Sequence, residues 1–283
     1  MIKQFSKYLF ILWSAILFAC QGDELIEASP QLVVEGWIDA GGFPTVIVTT
    51  TVPINKEYKD VSTLEECLVK WAKVTVSKGD TTVVLTGKID ENHFPSYIYT
   101  TGKLRGEVGE RYKLTVEYGD FFVEAETTIP SPVSVDSFII KPMNDEEFCQ
   151  MSACFTDDSL SSNYYAFFCM ESTQDTPSSF RLSPQGIFSD NIEGHVLRVP
   201  IYMPTSLFKT EEEYSRYFSV GDSVIVKLVN MDVVSYKFWD SFEKIRMLSR
   251  NPLFPVSDNM ESNIRGGLGY WCGYGASYYS IKF

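Results

Sequence analysis

The stretch Gly109-Glu110-Arg111-Tyr112-Lys113-Leu114-Thr115-Val116-Glu117-Tyr118-Gly119-Asp120-Phe121 sets the fold class of this 283-residue chain. Tyr112, Leu114, Val116 and Tyr118 alternate with polar residues, which is the period of a strand with one buried face. Gly119-Asp120 then supplies the φ > 0 chemistry of a tight hairpin, and residues 121–128 return as the next strand. The same period recurs upstream at Val46 and Val48 and at Val74 and Val76, with Gly79-Asp80 as a second turn. Residues 31–129 therefore read as short antiparallel strands of a β-sandwich.

Ile129-Pro130-Ser131-Pro132 interrupts that pattern, because proline donates no ladder hydrogen bond and biases its predecessor to extended geometry. It reads as a linker. Beyond it, strands are expected at 135–141, 149–156, 164–172, 196–201 and 223–229. Two helices are expected among them. Thr210-Glu211-Glu212-Glu213 is a capping box opening a short helix near 210–218, and Asp232 caps a longer one over 233–249, with Phe238, Phe242, Ile245 and Leu248 along one face. The expected architecture is mainly β: a sandwich domain at 31–129, then a β-rich domain at 133–283 with one or two helices. A hydrophobic content of 45% with 16 Tyr and 20 Phe is ample for such cores and favours sheet.

The first residues read as an export signal. Lys3 and Lys7 precede the apolar run 8–19, which ends in Leu17-Phe18-Ala19-Cys20. The run is shorter than the ~20 residues that cross a bilayer, and its basic flank and small residue before the cut are those of a bacterial lipoprotein signal over 1–19. Cys20 is then the lipidated residue, and two or more acyl chains hold the body on a membrane. Residues 20–30 form an acidic tether, in which Cys20-Gln21-Gly22-Asp23-Glu24 resembles the signal that sends Bacteroidota lipoproteins to the outer face of the outer membrane. Asp23 and Glu24 carry that resemblance, and an ordinary polar tether is the plainer reading of the same residues. Removal of 1–19 leaves 283 − 19 = 264 residues and, with Lys3 and Lys7 gone, moves the formal charge from −13 to −15. Nucleic acid, which requires a positive footprint, is not the expected partner.

Motifs for catalysis are sparse. His93 and His195 are the only histidines, and HExxH, GxSxG and the phosphate-binding glycine loop are all missing. His195, in Gly194-His195-Val196-Leu197-Arg198, sits in a strand-like context that favours a structural role. Carboxylate doublets such as Asp157-Asp158 and Glu146-Glu147 are read as solvated surface, since neighbours on a strand point apart. Asp157-Asp158 lacks the spaced loop of a calcium site. Cys67, Cys149, Cys154, Cys169 and Cys272 form no CxxC pair and are expected as buried free thiols; the alternative is a Cys149–Cys154 pair made after export, which their placement on opposite faces of one strand would forbid. Trp37, Trp71, Trp239 and Trp271 are candidates for a stacking platform, with core placement the expectation for each. The glycine-rich ending Ser262–Gly275 matches no nucleotide fingerprint and reads as structural, its glycines letting a second backbone approach. No catalytic, cofactor-binding or metal residue is expected.

Five pieces in order look like one family. Leu32-Val33-Val34-Glu35-Gly36-Trp37-Ile38, Gly109–Val116, Asn163-Tyr164-Tyr165, Gly221-Asp222-Ser223-Val224 and Ser262–Gly275 resemble the Bacteroidota lipoprotein family catalogued as domain of unknown function 4249. The resemblance implies an outer-membrane lipoprotein, often encoded beside TonB-dependent receptors, whose first half is immunoglobulin-like or transthyretin-like; it carries no known activity. The expected function is a surface-exposed, non-enzymatic accessory or ligand-capture partner of a TonB-dependent transporter. The alternatives are a fimbrial or adhesive subunit and, further off, a glycan-degrading enzyme.

Overall fold

The computed structural model describes residues 30–51, 65–143, 147–157, 162–171, 179–190, 196–204, 215–249 and 260–283. The leader, Cys20, Asp23, Glu24, His195 and the capping box at 210–213 lie outside the described residues. Gln31–Phe283 forms one compact unit. Its strands are β1 (Leu32–Asp39), β2 (Thr45–Thr50), β3 (Lys73–Lys78), β4 (Thr81–Val84), β5 (Thr86–Ile89), β6 (Tyr97–Thr100), β7 (Arg111–Tyr118) and β8 (Phe121–Thr128) in the first half. The second half adds β9 (Ser137–Pro142), β10 (Phe148–Thr156), β11 (Asn163–Glu171), β12 (Arg181–Asp190), β13 (Val196–Ile201), β14 (Phe218–Ser219), β15 (Ser223–Met231), helix α1 (Val233–Ser249) and β16 (Leu268–Lys282).

The protein is mainly β, and both sequence-read hairpins form: Lys78 pairs Thr81 around Gly79-Asp80, and Tyr118 pairs Phe121 around Gly119-Asp120. The sandwich core lies between the sheet β4-β3-β7-β8 and one end of an eight-stranded sheet ordered β12-β11-β15-β16-β1-β2-β6-β5. Val74 and Val76, Leu114 and Val116, and Val123 and Ala125 face Leu32, Val34, Ile38, Val46 and Val48 across it. Tyr112 locks the entry to β7: its hydroxyl donates to Arg105 O at 3.0 Å and accepts from Glu107 N–H at 2.8 Å. This is the hydrogen-bond pattern of a tyrosine corner.

The eight-stranded sheet does not stop at residue 129. Strand β16, 15 residues long, pairs in parallel with β1 through its first half (Leu268–Tyr274 against Val33–Asp39) and antiparallel with β15 through its second. A second core, of Met151, Ala153, Phe155, Tyr165, Phe167, Val224, Val226 and Leu228, lies between the other end of this sheet and a smaller sheet built on β10. Each segment thus has its own core, but one strand serves both. The segment expected as a linker lies against β16, where a Cβ on Gly275 would come within 2.4 Å of Pro130 O, and the residues just after it are bound there, Ser277 Oγ donating to Val133 O at 2.8 Å and Val135 N–H to the Tyr279 hydroxyl at 2.6 Å. Gly269 permits the β1–β16 approach: its φ is +106°, and a Cβ there would lie 1.9 Å from Val34 O.

Helix α1 is the one α-helix among the described residues. Asp232 caps it as expected, accepting from Ser235 N–H at 2.8 Å. The same carboxylate accepts from Thr127 Oγ1 at 2.9 Å and Thr128 N–H at 3.0 Å, so the cap also ties the helix to β8. The buried stripe is Ser235, Phe238, Trp239 and Glu243, which leaves Leu248 exposed and Ile245 half-buried, a rotation away from the apolar line read in the sequence. Trp239 and Glu243 set that rotation. The Trp239 indole donates to the Tyr274 hydroxyl at 2.8 Å, and Glu243 accepts from Gln185 N–H at 3.0 Å, holding a β12 residue at φ +58°. Residues 215–217 are irregular and Phe218–Ser219 is strand, so no helix reaches 218.

Candidate functional site

Strand alternation sends Leu32, Val34 and Ile38 into the sandwich core and Glu35, Trp37 and Asp39 to the opposite face of the eight-stranded sheet. Parallel pairing with β16 sets Tyr270, Cys272 and Tyr274 beside them. Helix α1 lies over this face, packing Phe238 and Trp239 on Tyr270 with ring centroids 4.7 and 5.0 Å apart. The face brings ionisable and aromatic side chains of β1, β16 and α1 together.

At the end of β1, Asp39 receives both hydrogen bonds of a buried ion pair, Lys227 Nζ to Oδ1 at 2.7 Å and to Oδ2 at 2.9 Å. The Tyr278 hydroxyl donates to the same Oδ2. Lys227 Nζ also stands over the rings of Tyr274, Tyr278 and Phe180, at 4.7, 5.5 and 5.6 Å. Burial and the neighbouring Asp39 charge raise the Tyr278 phenol well beyond its ordinary range. Paired and ringed, this group is a clasp between β1 and the second half of the chain.

Toward the start of β1 the surroundings differ. Glu35 lies between Ile47 on β2 and Tyr270 on β16, next to Trp37 on the same face. His93 stacks on Trp37 with centroids 5.8 Å apart, from a turn in which Asp90 accepts from Lys88 and Asn92. Burial opposes ionisation of Asp90, yet those hydrogen bonds hold its carboxyl down at about 2. No group among the described residues hydrogen-bonds or ion-pairs with the half-buried Glu35, and desolvation raises its pKa above 4.5. A carboxyl raised in the fold keeps a proton that the unfolded chain releases, so stability falls as pH rises above 4.5. Glu35→Gln is accordingly expected to stabilise the protein at pH 7 and to give no gain below about pH 4, as thermal melts across that range would measure.

The other residues singled out in the sequence scatter. Asp157 is buried beneath the Asn163 amide and the Tyr165 hydroxyl, and Glu147 is exposed, while Glu146 and Asp158 lie outside the described residues. The five described cysteines stand free, and burial pushes the Cys169 and Cys272 thiols up to about 12. Among the described residues no three His, Cys, Asp or Glu side chains converge as metal ligands. Trp271 and Trp239 are core residues, Trp37 is half-buried, and Trp71, expected in a core, is 88% exposed on the loop before β3. Sequence reasoning missed Glu35, Asp39 and Lys227 as a group. Glu35 was visible only as an acid at a core-like position in an apolar run, and Lys227 likewise within Val-Ile-Val-Lys-Leu-Val.

A mainly β body with two sandwich cores threaded on one strand, and a polar and aromatic outer face under a single helix, defines the class. Comparison with known families matches residues 22–279 to Domain of unknown function (DUF4249). The chain belongs to that family. No curated protein matches it.

Proposed function

We propose that this chain is a surface-exposed outer-membrane lipoprotein that serves a TonB-dependent transporter as a non-enzymatic accessory, capturing ligand or scaffolding the complex. The observation that carries this reading is the lipoprotein signal Leu17-Phe18-Ala19-Cys20 followed, after ten intervening residues, by a compact β body beginning at Gln31. Lipid on Cys20 fixes one end. A chain of ~10 residues reaches at most about 35 Å, so such a tether raises the body's local concentration at a receptor mouth to about millimolar.

Two features favour this over the alternatives. A fimbrial subunit assembled by strand donation needs an early strand that can leave, whereas β1 pairs on both sides and contributes Leu32, Val34 and Ile38 to the core. A glycosidase needs two acids 5–10 Å apart, whereas Glu35 and Asp39, the two acids β1 turns to the outer face, are separated by about 13 Å of extended strand. The test is crosslinking and affinity purification of the tagged lipoprotein from intact outer membranes, with Cys20→Ala as control. A TonB-dependent receptor recovered with the lipoprotein and lost in the control is the expected result. Recovery of fimbrial proteins, or of the lipoprotein alone, overturns it.

A further inference from the structure

We propose that the end of the sandwich at which β1 begins rests on the membrane, with its exposed aromatic side chains seated among the lipid headgroups. This contact rests on the lipid anchor proposed above and adds to it the face of the body that meets the bilayer.

The chain enters the body at Gln31, whose carbonyl accepts from Thr51 N–H at 2.9 Å. Val33 pairs with Leu268, so β16 starts at this end. A Cβ on Gly267 would lie 2.7 Å from Leu32 O and 2.8 Å from Val123 Cγ1, which puts the start of β8 beside the start of β1. With β8 comes the β7–β8 turn, where Tyr118 pairs with Phe121. Lys73, which opens β3, pairs with Glu117 one residue short of that turn, so Trp71 leads into β3 from the same end.

Six aromatic side chains stand exposed among the described residues, and four of them, Trp71, Tyr118, Phe121 and Phe122, gather at this end together with Leu268. Trp71 is the most exposed, at 88%. The other two are engaged elsewhere, Phe43 beneath the Arg105 guanidinium at 4.2 Å and Tyr278 in the clasp. Exposed apolar groups collected at one end of a body mark a surface that is covered in use. The covalent chain says what covers it. Ten residues separate Cys20 from Gln31, a span of at most about 35 Å, and they join the body here. Asp39, at the far end of β1, is about 24 Å further on, so only a tether doubled back nearly extended would bring that end to the bilayer. Trp and Tyr suit a membrane interface, each carrying a polar N–H or O–H on an apolar ring. The nearby Lys73 pairs with Glu117 at 2.8 Å and Arg265 with Glu124 at 3.1 Å, so the contact is made by burial of rings and not by charge. Glu124 and Arg265 also exchange backbone hydrogen bonds, which closes this stretch of β8 to strand addition by a protein.

Tryptophan quenching tests this on the lipoprotein purified from outer membranes and placed in vesicles of phosphatidylcholine brominated near the top of its acyl chains, with unbrominated vesicles as reference. The emission that Trp71→Phe removes is the Trp71 share, and at a depth of about 5–10 Å into the headgroup and acyl boundary that share is expected to fall by about half. Two reporters in the Trp71→Phe background fix the face. Phe122→Trp is expected to restore quenching of that order, whereas Phe43→Trp, in the turn after β1, adds emission that bromine does not reach. Melting temperatures check that each variant is folded. Absence of quenching at either Trp71 or Phe122→Trp, or equal quenching at Phe43→Trp, overturns the proposal. So does Trp71 emission shielded from iodide but untouched by bromine, the result expected of a second copy on the patch. The mass of the peptide that holds Cys20 decides the anchor separately: acyl chains without quenching refute this face alone, and their absence refutes the anchor and this contact with it.

Discussion

Trp271→Ala is expected to remove about 3–5 kcal/mol of stability, which in a body of this size lowers the melting temperature by about 10–15 °C. Trp271 is fully buried where β16 enters the sandwich core, and its indole donates to Tyr112 O at 3.1 Å. Truncation opens a cavity among Leu32, Val34, Val46 and Leu114 and also strips a donor from the carbonyl of the tyrosine corner. Gly36 supplies the diagnostic. A Cβ at that position would lie 2.8 Å from Trp271 Cε3, so Gly36→Ala in the natural protein forces the ring to move. With Trp271 already truncated, the same methyl enters the cavity. Denaturant unfolding of the two single variants and the double variant therefore has a signed expectation: Gly36→Ala destabilises the natural protein and is neutral or stabilising beside Trp271→Ala. Additive losses would mean that the two residues do not share a packing site.

The second large effect is at the clasp. Lys227→Met leaves the Asp39 carboxylate buried without its counter-ion, at an expected cost of about 3–5 kcal/mol. Tyr278 continues to donate to Asp39, but one phenol does not replace a full charge held by two hydrogen bonds. Adding Asp39→Asn removes the stranded charge, and the double variant is expected to regain most of the loss. A cost below about 1 kcal/mol for Lys227→Met would place the pair in the class of solvated surface bridges. Because Asp39 ends β1 while Lys227 and Tyr278 belong to β15 and β16, the clasp joins the halves of the chain that the proline-rich segment separates in sequence. Its loss is therefore expected to show as independent melting of the two cores as well as a lower midpoint, which calorimetry would resolve as a second transition.

Both effects arise from the same feature, a final strand that serves two sandwiches. It also explains why the outer face concentrates its polar groups. Strands β11 and β15 are covered on both sides, so polar side chains on their helix-facing side are sealed under α1 or enter a network such as the clasp. Glu35, on β1 at the margin of that cover, is half-buried instead, which gives it the environment that raises its pKa.

What the sequence determined by itself is the local structure. The two-residue period of 111–128, the Gly-Asp turns, the strand at Val196–Ile201 and the Asp232 cap are set by interactions within a few residues, and all appear in the structure where the residues put them. The signal at Cys20 is equally local. The tertiary structure alone decided pairing and burial. Nothing near Leu32-Val33-Val34-Glu35 specifies a parallel partner more than 230 positions away, and Pro130 and Pro132 gave no sign that their segment would lie against β16. Four tryptophans of identical intrinsic hydrophobicity end between full burial at Trp271 and near-complete exposure at Trp71, because burial belongs to the neighbours a fold supplies and not to the side chain. The same reason separates Asp39 from Glu35: two acids on one face of one strand, one matched by a lysine brought from far along the chain and the other left beside aromatic rings.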